Sequence, residues 1–155
     1  MLRTLYLIFA LIIAPVSLTV VTAQNAYAQK AETYTSIRNN FGAGGFDVVS
    51  FHQGSPIKGD IKIIADYKGA QWRFANEGNK KTFLENPEKY APAYGGYCAW
   101  AIANNKLAKG SPKHWSIVDD VLYLNFNKSI KKKWEKDTAG FIEKADERWP
   151  AILEK

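Results

Sequence analysis

From residue 41 onward the apolar positions keep switching between the period of a strand and the period of a helix, and each switch marks a short element. Phe46-Asp47-Val48-Val49-Ser50-Phe51-His52 is a nearly continuous apolar run, which predicts a short strand ending in a Gln53-Gly54-Ser55-Pro56 turn. Ile61 to Tyr67, a Lys68-Gly69 turn and Ala70 to Ala75 predict a β-hairpin, because Trp72 and Phe74 alternate with Gln71 and Arg73. Asn76 is placed to cap a helix through Lys80, Phe83 and Leu84, and Pro87 opens a further turn, giving helical structure over 77–90. Ala91-Pro92-Ala93 breaks it. Tyr94, Tyr97, Cys98, Ala101 and Ile102 then recur at three- and four-residue spacing, which predicts a helix over 94–104 that turns Cys98 inward among aromatic rings.

Trp115 to Val118 and Val121 to Phe126 predict a second hairpin about Asp119-Asp120, a tight turn in which both central residues need positive φ. Asn127 and Asp137 cap two last helices, 128–136 and 138–149. The second carries an apolar stripe of Phe141, Ile142, Ala145 and Trp149 that stops at Pro150. No internal repeat is legible. The expected architecture is α+β, a small antiparallel sheet from two β-hairpins packed against several short helices.

The N-terminus changes the picture of where the chain acts. Arg3, the apolar run Leu5 to Val21 and the Ala26-Tyr27-Ala28 site have the form of a secretory signal peptide cleaved after Ala28, with Val21-Thr22-Ala23 as a second site. The run is at the short end for crossing a bilayer, so no stable membrane span is expected after its removal. The plan is therefore a signal peptide (1–28), a polar and mobile lead-in (29–40) and one domain (41–155), periplasmic or secreted. Eight Phe, eight Tyr and five Trp suffice for a core without covalent staples, and a single cysteine excludes an internal disulfide. The net charge of +6 drops to +5 when Arg3 leaves with the signal. Lys131-Lys132-Lys133 sits beside Glu135 and Asp137 and reads as a solvated helix face, so a nucleic-acid partner is not expected. Phe41-Gly42-Ala43-Gly44-Gly45 has neither GxGxxG spacing nor a P-loop lysine and reads as a turn.

Candidate chemistry rests on few residues. Cys98, His52 and His114, with Asp47 as a carboxylate, are the metal-ligand candidates; thiolate with imidazole suits copper or zinc, provided separate segments converge. Cys98 is also open to reading as a buried core thiol, or as a nucleophile served by a histidine base. Tyr94, Tyr97, Trp100 and Trp72 are candidates for an aromatic pocket holding a small apolar ligand or a partner's chain. No third residue to orient a base and no nucleophile elbow can be singled out, so catalysis is not the expectation.

Taken in order, several stretches resemble the exported single-domain bacterial subgroup of the YHS domain family. They are Gly45-Phe46-Asp47-Val48-Val49 with Phe51-His52, Tyr67-Lys68-Gly69-Ala70-Gln71-Trp72-Arg73-Phe74, Phe83 through Pro92, and Tyr94-Gly95-Gly96-Tyr97-Cys98-Ala99. Trp115 to Asp119, Leu122 to Asn125, and Ala145-Asp146 through Trp149-Pro150 extend the likeness to the C-terminus. The resemblance implies a periplasmic protein. It also implies metal handling, since the wider group includes modules attached to metal-transporting ATPases, and so exported or membrane metal-handling proteins as partners. The wider group's metal-binding cysteines fall at or near Ala75 and Asn79, so that pattern is absent here, and His114 departs from the subgroup. The functional expectation is binding or trafficking of copper or zinc without catalysis.

Overall fold

The computed structural model describes residues 29–154, so the expected signal peptide lies outside the described residues. A 3-10 turn at Gly42–Gly45 leads into α1 (Val48–His52), β1 (Asp60–Tyr67), β2 (Ala70–Phe74), α2 (Glu77–Glu85) and α3 (Pro87–Tyr90). A second 3-10 turn at Ala93–Gly96 leads into α4 (Ala99–Ala103), β3 (Ser111–Val118), β4 (Val121–Asn125), α5 (Lys128–Trp134), α6 (Thr138–Asp146) and a last turn at Ala151–Glu154. The class is α+β, with both hairpins formed. β1 pairs with β2 and β3 with β4, as two separate two-stranded sheets rather than one.

Three elements differ from expectation. Phe46–His52 is not a strand: Asp47 accepts the Val49 N–H and caps α1, whose Val48, Val49 and Phe51 are all buried. A continuous apolar run has no period to separate a buried strand from a buried helical turn. The helix expected from 94 begins only at Ala99, because Tyr94 and Gly95 take φ of 54° and 58° and turn the chain. Helix 77–90 is broken at Asn86, whose N–H bonds back to Phe83 while its side chain caps α3.

The order of elements repeats, and the repeat is 51 residues long. Among the described residues every positive φ has its counterpart: Ala43 with Tyr94, Gly44 with Gly95, Gly45 with Gly96, Gly54 with Asn105, Lys68 with Asp119, Gly69 with Asp120. The helix N-caps repeat in the same way, Asp47 with Cys98, Asn76 with Asn127 and Asn86 with Asp137. Both hairpins shift register at the same place, between Asp60 and Ile64 and between Ser111 and Trp115. Even the core contacts match, with Trp72 and Phe83 ring centroids 5.6 Å apart and Tyr123 and Trp134 5.4 Å apart. The molecule is two copies of one supersecondary unit, contrary to the absence of repeats in the sequence reading.

The copies share one seam. β4 is buried on both faces, so Leu122 and Leu124 join the first copy's core around Trp72, Phe74 and Phe83, while Tyr123 joins the second around Ile102 and Trp134. Residues 29–40, expected as a mobile lead-in, form a strap across this seam. Lys30 N donates to Leu153 O (3.2 Å) and Tyr34 N to Gly95 O (2.9 Å). The Tyr97 hydroxyl donates to Ala31 O at 2.9 Å, and Lys68 pairs with Glu32 at 2.6 Å. A side chain at Gly95 would run into the Glu32 carbonyl.

Equivalent positions should respond alike to mutation. A methyl group at Gly59 meets the Arg73 backbone, and one at Gly110 meets the Gly96 carbonyl. Gly59→Ala and Gly110→Ala should each lose about 1–3 kcal/mol in urea denaturation, the usual cost of overpacking. Gly54→Ala, where the added methyl meets nothing within 4 Å, should lose only the positive-φ penalty of about 1 kcal/mol.

Candidate functional site

Asp47 and Cys98 occupy the same place in the two copies, and their surroundings show what that place does. Asp47 is fully buried. Its Oδ1 accepts the Val49 N–H at 3.0 Å, and its Oδ2 accepts the Ala75 N–H at 2.9 Å and Asn79 Nδ2 at 2.6 Å. The side chain therefore ties the start of α1 to the end of β2. Cys98 makes the equivalent tie, accepting at Sγ the N–H of Phe126, 51 residues beyond Ala75, at 3.3 Å. Asn125 Oδ1 lies 3.7 Å from Sγ and accepts the Trp100 N–H at 3.3 Å. Where the first copy uses Asp47 with Asn79, the second uses Cys98 with Asn125.

Burial pushes the Cys98 thiol up from its ordinary pKa, against the opposing pull of the Ala101, Phe126 and Trp100 backbone N–H groups. A protonated thiol can donate to Asn125 while its lone pair receives Phe126. This is the chemistry of a structural cap. A nucleophile needs the thiolate and access, whereas Cys98 is 1% exposed.

The histidines stand elsewhere. His52, at the end of α1, places Nδ1 3.2 Å from Asp120 Oδ1 and its ring edge-on to Tyr90. Lys89 Nζ reaches the other oxygen of Asp120 at 2.8 Å. Lys89 first, and then His52, holds the Asp120 carboxyl below the ordinary carboxylate range. This cluster fastens α1 and α3 of the first copy to the β3–β4 turn of the second. His114, half-buried on β3, borders a groove with Lys113 and three lysines of α5. Cys98, His52, His114 and Asp47 thus do not come together. Among the described residues no group of three or more His, Cys, Asp or Glu side chains is arranged to hold a metal.

The aromatic candidates divide. Trp72 and Tyr94 line a cleft of about 200 Å³ between the copies, together with Tyr67, Lys68, Val121 and Trp149, and with Glu32 and Thr33 of the strap. Tyr97 instead packs edge-on to Tyr34, and Trp100 lies under Lys133. Trp72 Nε1 donates to Tyr67 O at 3.0 Å. The Tyr94 hydroxyl donates to Asp146 at 2.8 Å, and burial with that bond pushes the phenol pKa far up, so it stays a donor. Tyr67, Val121 and Trp149 were not legible as site residues, because only the docking of the two copies brings them to one cleft.

Residues 48–94 match the YHS domain, a segment that runs from the start of α1 to Tyr94 and so covers the first copy of the unit. No curated protein and no solved structure matches the chain. Within this segment Ala75 and Asn79, at or near the positions where the resemblance implied ligand cysteines, both bond to Asp47, the residue just before it.

The cap assignment has measurable consequences. Cys98 in the native protein should react with a thiol-alkylating reagent at neutral pH at least ~100-fold more slowly than in denaturant, because attack needs the exposed thiolate. Cys98→Ala should lose about 1–3 kcal/mol by stranding the Phe126 N–H, and Cys98→Ser should recover part of it. Asp47→Ala strands three donors and should cost more than Cys98→Ala in the same denaturation assay.

Proposed function

We propose that the protein is a non-catalytic binding module acting outside the cytoplasm, which takes a small aromatic or amphipathic ligand into the cleft between its two copies. The cleft itself carries this reading. Half-buried Tyr67 and Trp149 wall it with ring surface, the buried rings of Trp72 and Tyr94 complete its lining, and Lys68, Glu32 and Glu88 bring charge to it. The polar tips of Trp72 and Tyr94 are already bonded within the protein. Those walls therefore offer apolar contact, and specificity falls to the charged groups. A volume of about 200 Å³ is room for roughly one substituted ring, on the order of seven waters' worth of space. The Lys68–Glu32 pair is exposed on both sides, so it holds the strap there by about 1 kcal/mol or less and can open for a ligand. Export is supported by the pattern of residues 1–28.

Metal handling with copper or zinc, in company with exported or membrane metal-handling proteins, is the competing reading. It draws support from the family match over 48–94, and one set of measurements separates the two. Indole and 4-methylphenol added to the protein should shift the Trp72 indole N–H signal in a ¹H–¹⁵N spectrum. Val121→Trp, which fills the cleft, should abolish the shift without changing Tm. Absence of any shift at Trp72 and Tyr94, with stoichiometric uptake of offered Cu(I) or Zn(II) that is lost in Cys98→Ser, would replace the ligand reading with the metal one.

A further inference from the structure

The duplication supplies an internal control for each surface feature of the molecule. On the first copy the lysines of α2 are balanced along their own helix, with Lys80 Nζ 3.9 Å from Glu77 and Lys81 Nζ 3.9 Å from Glu85. Both lysines recur in the second copy as Lys131 and Lys132, but the carboxylates do not. Lys128 stands at the position of Glu77, and Lys136 at that of Glu85. On the neighbouring strand Lys113 repeats Lys62, while His114 replaces Ile63.

Packing of β3 against α5 gathers Lys113, His114, Lys128, Lys131, Lys132 and Glu135 around one groove of about 350 Å³. Glu135 is taken up by Lys131 at 3.3 Å. Lys113, Lys128 and Lys132 have no ion pair among the described residues, and Lys128 and Lys132 stand one turn apart, where like charges oppose each other. The fold does not ask for this. The same backbone forms in the first copy with Glu77 in place of Lys128, and an acid at the first position of a helix is the more favourable residue.

We propose that this groove binds a multiply charged, phosphate-bearing anion. Ammonium groups arriving from a strand and from a helix act as separate point charges, which suits the several oxygens of a phosphate or diphosphate better than a single carboxylate. His114 lines the same groove. The site is independent of the aromatic cleft, which it does not touch. The same chemistry is offered by a free phosphate compound and by an anionic lipid headgroup.

Titration of pyrophosphate into the protein at low salt, followed in ¹H–¹⁵N spectra, should shift the signals of Lys113, His114, Lys128, Lys131 and Lys132. Lys128→Glu restores the first copy's acid and should weaken binding roughly tenfold or more at unchanged Tm. Lys81→Glu, a matched reversal on the first copy's face, should leave it unaltered. In parallel, sedimentation with phosphatidylglycerol vesicles, against phosphatidylcholine vesicles, reads the lipid source. Recruitment sensitive to Lys128→Glu, without a pyrophosphate response, identifies a headgroup as the ligand. Equal loss in Lys81→Glu and Lys128→Glu would show only the response to net charge and would overturn the site, as would absence of binding to both probes.

Discussion

A buried acceptor at the start of each unit's first helix holds the unit together. An isolated two-stranded hairpin is marginal by itself, and α1 and α4 are each only five residues long. Neither survives without tertiary support. Asp47 bonds the N–H of Ala75 just past β2, and Cys98 bonds that of Phe126 just past β4, so each hairpin is clamped to the helix that precedes it. The two solutions are chemically unequal. A carboxylate satisfies three donors at 2.6 to 3.0 Å, while sulfur accepts more weakly and needs Asn125 to receive the Trp100 N–H. Cys98 thus holds a structural post: its sulfur accepts the Phe126 N–H and its surface is covered by the core.

Joining two such units makes something neither holds alone. β4 lies between both cores, its alternate residues facing opposite ways, so the halves are packed as one body. Their outer surfaces do not close completely, and the gap becomes the aromatic cleft. The strap of residues 29–40 crosses it, fixed by backbone bonds to Gly95 and Leu153. The His52–Asp120–Lys89 cluster fastens the halves at another point. The chemistry available to the molecule therefore belongs to the junctions and surfaces of the duplicated scaffold. Inside each copy, the buried Asp47 carboxylate and Cys98 sulfur are committed to the clamp.

Local chemistry was legible wherever a residue's own conformational preference decides the outcome. Lys68-Gly69 and Asp119-Asp120 were recognisable as turns because Gly, Asp and Asn tolerate positive φ, and all four residues take it. Asn76, Asn127 and Asp137 were recognisable as caps because a short polar side chain before an apolar run has one evident use. The alternation of Trp72 and Phe74 with Gln71 and Arg73 showed one buried face, and both rings are buried. The sequence by itself thus determined the α+β class, the two hairpins and where most helices begin.

Tertiary structure decided the rest. Val48–His52 became a helix because its cap Asp47 is held from outside the segment by Ala75 and Asn79, and no local period could announce that. The repeat escaped reading because it is conserved in backbone and caps, with Gly44-Gly45, Gly59 and Asn76 among the few residues shared with their partners 51 further on. Core positions exchange Phe for Trp and Trp for Tyr without changing the fold, since volume and burial are what packing demands. Cys98 could be placed inward by spacing, but its role depended on which groups meet it there. A side chain's neighbours are set by contacts between distant segments, and those are properties of the folded chain.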